Sequence, residues 1–141
     1  MGAPAPPATV VVADVNRLKA VNDRHGHAEG DGMLRAVAAL LVRHFGGLNG
    51  GLVARLGGDE FGVILPGHRA DRVLAAARAA CVEADRLPHG VGIACGVATL
   101  DDRALPAELI RAADAAQYSA KGYGRSRVVL AGQDGAAATA T

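Results

Sequence analysis

The stretch Leu52-Val53-Ala54-Arg55-Leu56-Gly57-Gly58-Asp59-Glu60-Phe61-Gly62-Val63-Ile64-Leu65 decides the fold. Two short apolar runs, residues 52–56 and 61–65, are joined by two glycines and two acids. Glycines in so short a connection supply the positive φ angles of a tight turn, so the stretch reads as a β-hairpin. Pro66-Gly67 closes its second strand. Working back towards the N-terminus, residues 69–86 and 30–45 bracket the hairpin with helical periodicity. Leu34, Val37, Ala38, Leu41 and Phe45 recur at the i, i+3, i+4 spacing of one helix face, as do Val73, Leu74, Ala77 and Cys81. Gly46-Gly47 ends the first of these helices. A shorter helix over residues 17–24, carrying Leu18 and Val21, is stopped by Gly26. The β-branched run at residues 9–13 is a buried central strand that ends at Asp14. Beyond the second helix, residues 91–98 and 127–130 read as strands, with a helix from Pro106 to about residue 121 between them. The order β-α-α-β-β-α-β-α-β contains β-α-β-β-α-β, the ferredoxin-like or palm arrangement. It predicts an α/β (α+β) fold with a central, mostly antiparallel sheet and helices on one face.

Composition narrows the function classes. The chain has 141 residues and a net charge of +1, with 50% hydrophobic and 21% charged residues, which suits one globular domain. Residues 1–8 read as a Pro/Ala arm, 9–131 as the domain and 132–141 as a disordered tail. Near-neutral charge and 3% aromatics argue against a protein that coats nucleic acid. No apolar run approaches the ~20 residues of a membrane helix, and no signal peptide is visible. Two cysteines, Cys81 and Cys95, fit a reducing, cytoplasmic setting and read as small buried hydrophobes.

The polar residues group into three candidate constellations. Asp14, at the end of the first strand, and Asp59 with Glu60, at the hairpin tip, become neighbours in this topology. Carboxylates so placed repel unless a cation joins them, and hard oxygen ligands favour Mg²⁺ or Mn²⁺. Gly-Gly-Asp is also ordinary turn chemistry, but the pairing with Asp14 favours the metal site. Between these points, the chain turns sharply from strand to helix. Backbone N–H groups there suit phosphate oxygens, and Lys19 adds a positive charge. A surface lysine is the commoner case, yet the chain carries thirteen arginines and only two lysines, Lys19 and Lys121. Lys121 and Arg125 lie at a helix C-terminus, where basic residues also complement the helix dipole. Asn22 and Asp31, nine residues apart, together suit the donor-rich edge of guanine. By spacing alone, helix caps explain them better.

Residues 14–31, Asp14-Val15-Asn16-Arg17-Leu18-Lys19-Ala20-Val21-Asn22 through Gly30-Asp31, resemble the first signature of the GGDEF family, the bacterial diguanylate cyclases. Arg55-Leu56-Gly57-Gly58-Asp59-Glu60-Phe61 matches the motif that names the family, and residues 113–125 resemble its third signature. The resemblance spans about residues 9–130. It implies condensation of two GTP into cyclic di-GMP plus two pyrophosphates, with one GTP presented by each subunit of a homodimer. In that picture Asp14, the Val15 carbonyl and Asp59 bind metal, and Asp59 or Glu60 deprotonates the 3′-hydroxyl. Lys19 stabilises the transition-state charge. Asn22 and Asp31 read guanine beside Leu18 and His27, and Lys121 and Arg125 hold the distal phosphates.

The departures from the family are equally specific. The chain starts too late for the segment Asp-x-Leu-Thr-Gly-Leu-x-Asn-Arg and the N-terminal helix after it. Part of the sheet is therefore expected to be apolar and exposed, the homodimer to be weak, and regulation to come from a partner protein, expression level or self-association. Asn16 stands where an acid is commoner, and Cys95 where Ser is frequent. Leu48 and Gly51 occupy the positions of the Arg and Asp of the family's product-inhibition site. A non-catalytic module that binds GTP or another nucleotide is the rival reading.

Overall fold

The computed structural model describes residues 8–48, 50–100, 126–131 and 137–140. Strand β1 (Ala8–Asn16) leads to helix α1 (Leu18–His25) and helix α2 (His27–Phe45). The hairpin strands β2 (Leu52–Gly57) and β3 (Glu60–Pro66) follow, then helix α3 (Ala70–Ala84) and strands β4 (Gly92–Leu100), β5 (Arg127–Ala131) and β6 (Ala137–Ala140). The sheet order is β2-β3-β1-β4-β5-β6. All neighbours run antiparallel except β4 and β5. This is the palm arrangement, with β1 at its centre.

The β-branched run from Thr9 makes β1 longer than expected. Its residues Thr9 to Val15 are all buried, as befits a strand with two neighbours and both faces covered. The Thr9 hydroxyl donates to the His68 carbonyl at 2.6 Å, which satisfies the one buried hydroxyl on this strand. On one face of the sheet, Val11, Ala13, Val15, Phe61, Val63, Leu65, Ile93, Cys95 and Val97 pack against α2 and α3. Those helices contribute Val37, Leu40, Leu41, Phe45, Val73, Ala77 and Ala80. Each fully buried Leu or Phe here stabilises the fold by about 1.5–3 kcal/mol. Leu40 is fully buried, while Ala38 and Leu74, expected inward, sit at the margin of the core. Across the top of this layer, Glu83 on α3 pairs with Arg43 and His44 on α2.

On the opposite face, Val10, Val12, Ala94, Ala98 and Val129 are buried outside that cluster. The β2–β3 side of the same face is open. Leu52 and Ile64 are register partners, Leu56 lies 3.2 Å from a side-chain position at Gly62, and all three are exposed. The expected apolar, exposed sheet surface is at these residues.

The structure differs from the sequence reading at three points. Helix α2 begins at His27, not near Gly30, because Gly26 alone interrupts the helical path and Gly30 and Gly32 lie within it. A tight turn at Pro88–Gly90, before β4, gave no periodic signal in the sequence. Ala137–Ala140, inside the stretch read as a tail, pair with β5, whose outer edge otherwise offers unpaired backbone groups. The helix expected from Pro106 to about residue 121 lies outside the described residues.

Candidate functional site

The end of β1 and the hairpin tip meet through the backbone. Asp14 is the register partner of Glu60 on β3, so their side chains share one face of the sheet. The Val15 N–H donates to the Asp59 carbonyl at 2.9 Å, which fastens the tip to the residue after Asp14. Asp14 is 5% exposed, and Asp59 and Glu60 are half-buried. The tip itself is shaped by Gly57 at φ 150° and Gly58 at φ 48°, angles that side chains resist. Arg55 then donates twice to the Gly58 carbonyl, from Nε at 3.0 Å and from Nη2 at 2.6 Å. This brace was not singled out from the sequence, although an arginine two residues before a glycine-rich tip is a visible signal.

The donors at this corner are carboxylates and backbone carbonyls. They fit a hard divalent cation and no softer one. Among the described residues, no three His, Cys, Asp or Glu side chains converge closely enough to hold a metal by themselves. That is compatible with a site of two carboxylates and a carbonyl, because Mg²⁺ commonly keeps waters and substrate phosphate oxygens in its remaining positions.

Beyond Asp14 the chain enters α1 through Arg17 in a left-handed conformation, φ 63°. No side chain caps the helix start and no acid sits in its first turn. Among the described residues, its first-turn N–H groups thus have no side-chain acceptor, and Lys19 in that turn is exposed. Leu18 packs at the edge of the core. Asn22 lies mid-helix, and Asp31 stands four residues beyond the start of α2. Neither residue is an N-cap; the cap between the helices is Gly26, which offers no side chain. The alternative that spacing favoured is therefore removed.

Asn22 instead lies against the first turns of α2. A β-carbon at Gly30 would overlap its Oδ1 outright. Glycine at 30 thus lets the Asn22 amide approach α2 one residue before the exposed Asp31. His27 is exposed at the start of α2. Lys121 and Arg125 lie outside the described residues. Asp31 also forms one end of a cleft of about 450 Å³ between α2 and β2, floored by Leu34, Ala38, Val53 and Phe61.

At the positions of Leu48 and Gly51, the chain closes a turn through Gly51 N–H to Leu48 O at 2.9 Å. A β-carbon at Gly51 would stand 2.6 Å from the Phe45 carbonyl and 3.0 Å from Leu65. The backbone here has no room for an acidic side chain as it stands.

The comparisons with known proteins agree with this architecture. The family model described as "Diguanylate cyclase, GGDEF domain" matches residues 4–127. The "Uncharacterized protein in hutH 5'region" of Streptomyces griseus is 45% identical over 131 residues, covering 90% of this chain and 54% of its own length. The "Probable diguanylate cyclase DgcE" of Escherichia coli K12 is 37% identical over 129 residues, covering 86% of this chain and 12% of its own. This chain therefore spans about half of the first relative and a small part of the second. The crystal structure of the GGDEF domain of DgcB from Caulobacter crescentus in complex with c-di-GMP superposes with a TM-score of 0.79 at 28% identity. That likeness covers 88% of this chain and 77% of the other.

Proposed function

This chain belongs to the GGDEF family, and from that premise we propose that it is a diguanylate cyclase module that condenses two GTP into cyclic di-GMP and two pyrophosphates. The observation that carries the reading is the corner where Asp14 faces Glu60 across the β1–β3 ladder, with Val15 bonded to Asp59. It places the family's intact tip motif beside the one deeply buried acid of the central strand.

Asp14, the Val15 carbonyl and Asp59 are the groups that would hold Mg²⁺ or Mn²⁺, whose charge offsets that of the phosphates and acidifies the attacking hydroxyl. The Asn22 amide donates to and accepts from the guanine edge, and the Asp31 carboxylate accepts from its N1–H and N2 amine, which orients the nucleotide. His27 and Leu18 border that position. Asp59 or Glu60 takes the 3′-hydroxyl proton as the oxygen bonds to the α-phosphorus of the opposite GTP. The bond from that phosphorus to the bridging oxygen breaks, and pyrophosphate leaves. Lys19 balances charge at the α-phosphate, and Lys121 and Arg125 hold the distal phosphates. The second bond forms by the same step with the roles of the two nucleotides exchanged.

Each subunit carries one set of these residues, so two copies must face each other for both bonds to form. The dimer is weak in this reading, and its activity answers to concentration or to a protein partner in the cytoplasm. No helix among the described residues is long and apolar enough to cross a membrane. The test is to incubate the pure protein with Mg²⁺ and GTP over a range of protein concentrations and identify nucleotides by mass. Cyclic di-GMP, formed with specific activity that rises with protein concentration, is expected. A protein that binds GTP but forms no product at any concentration, even when fused to a leucine zipper, overturns the catalytic reading in favour of a non-catalytic module.

A further inference from the structure

The Pro88–Gly90 turn lies far in sequence from the residues assigned above, yet it touches both ends of α1. Among the described residues, only Arg17 and His89 are non-glycine residues with positive φ, at 63° and 65°. Each conformation costs free energy that its surroundings must offset, so such residues persist where contacts hold them. Here both take part in the contacts of one turn. The Arg17 side chain passes over Gly90, with Nη1 3.5 Å from where a β-carbon on that glycine would stand. The His89 ring stacks on His25 with centroids 4.2 Å apart and planes tilted by 35°. Its Nε2 lies 2.9 Å from Oε1 of Glu29, on the first turn of α2.

The α1–α2 junction is closed by two backbone bonds, Gly26 N–H to Asn22 O at 2.9 Å and Gly30 N–H to Gly26 O at 3.2 Å, and by Asn22 packing on Gly30. Gly26 is its single non-helical residue, at φ 89° and ψ 164°, and no heavy atom comes within 4 Å of a β-carbon position there. Neither helix start has a side-chain cap. The turn, by contrast, is a firm post. Pro88 restricts its first residue, the Val91 N–H donates back to the Pro88 carbonyl at 3.3 Å, Val91 is buried and Leu87 packs on the core.

We propose that the Pro88–Gly90 turn clamps α1 at its two ends, and that His89 is a positioning residue for the junction carrying Asn22 and Asp31. His89 acts through His25 and Glu29. Arg17 at the other end sets where α1 starts, and with it Lys19. The proposal rests on the assignment of Asn22 and Asp31 to guanine, and it concerns affinity for the base rather than the chemical step.

Three variants separate the contributions. His89→Gly relieves the backbone and removes the ring. His89→Ala removes the ring but keeps the strain. His89→Gln keeps a donor able to reach Glu29. Amide hydrogen exchange without nucleotide reads the clamp directly. In His89→Gly, exchange over residues 22–31 should quicken about tenfold, with the rest of the chain and the melting temperature unchanged. The KM for GTP should rise about tenfold while kcat stays within about twofold, and His89→Gln should recover most of that loss. Unchanged exchange over residues 22–31 in both His89→Gly and His89→Ala overturns the proposal. So does faster exchange across the whole chain with a lower melting temperature, which marks general destabilisation. If the wild-type protein forms no cyclic di-GMP, the catalytic reading fails, and the exchange experiment still decides the clamp.

Discussion

The carboxylates at the end of β1 and the polar pair at the α1–α2 junction are held in different ways. Asp14, Asp59 and Glu60 are placed by backbone hydrogen bonds of a ladder whose central strand is buried on both faces. Displacing them requires breaking the sheet. Asn22 and Asp31 are placed by a one-residue break between two helices, by the missing side chain at Gly30, and by contacts from a distant turn. The first region therefore tolerates changes in its side chains without losing its shape. In the second, one added carbon atom at Gly30 displaces the Asn22 side chain.

The largest effect should come from the first region. Asp59→Ala or Asp14→Ala is expected to abolish product formation while leaving the fold intact. Removing a carboxylate from a like-charged group relieves repulsion, so the metal-free melting temperature should hold or rise. Chromatographic assay of cyclic di-GMP with parallel thermal melts checks both parts; unchanged turnover in either variant breaks the assignment.

Next is the second region. Gly30→Ala should favour helix intrinsically, yet it displaces the Asn22 amide. We expect GTP affinity to fall about tenfold with helix content unchanged in circular dichroism. Asp31→Ala should narrow the preference for GTP over ATP, since a charge-assisted hydrogen bond is worth about 1.5–3 kcal/mol. Titration calorimetry with both nucleotides decides, and equal GTP and ATP affinities in the wild-type protein refute the pocket.

A smaller effect concerns feedback. Leu48 and Gly51 bear no charge, and the turn they close leaves no space at Gly51 for one. Initial rates should be insensitive to added cyclic di-GMP through this turn. Strong non-competitive inhibition at low product concentration would show that another surface binds it.

The smallest effect probes the platform beneath the carboxylates. Cys95, the register partner of Ala13, is fully buried. Its thiol is held well above the usual range, first by hydrogen bonding with Cys81 and then by burial. The unfolded chain loses this proton at about pH 8.5, whereas the folded chain retains it. Stability from this group is therefore full below that pH and declines as pH rises above it. Melting curves between neutral and strongly alkaline pH should show the decline, and Cys95→Ala should flatten it. Equal alkaline slopes in the two proteins would remove the thiol as the cause.

Much of this was legible in the chain because it depends on local pattern. Apolar runs bounded by glycines marked β2 and β3 to within a residue. The 3.6-residue recurrence of Leu34, Val37, Leu41 and Phe45 marked the buried face of α2. Asp14 and the tip acids could be brought together from topology alone, since an antiparallel hairpin beside β1 leaves few other places for them. The start of α2 was misplaced because glycine ordinarily weakens a helix, and at Gly30 its use is steric. The turn at His89 left no trace because strain at one residue has no periodicity.

By itself, the sequence determined the palm order of strands and helices, the acidic tip of the hairpin and the family to which the chain belongs. These follow from hydrophobic periodicity and turn chemistry, which act over a few neighbouring residues. Tertiary structure alone decided that Asn22 rests on Gly30, that Arg55 braces Gly58, that Gly51 has no space for a side chain, and that His89 reaches His25 and Glu29. Each depends on atoms that fold into van der Waals or hydrogen-bond range. At those distances a shift of about 1 Å separates a contact from a clash, and no one-dimensional pattern records it.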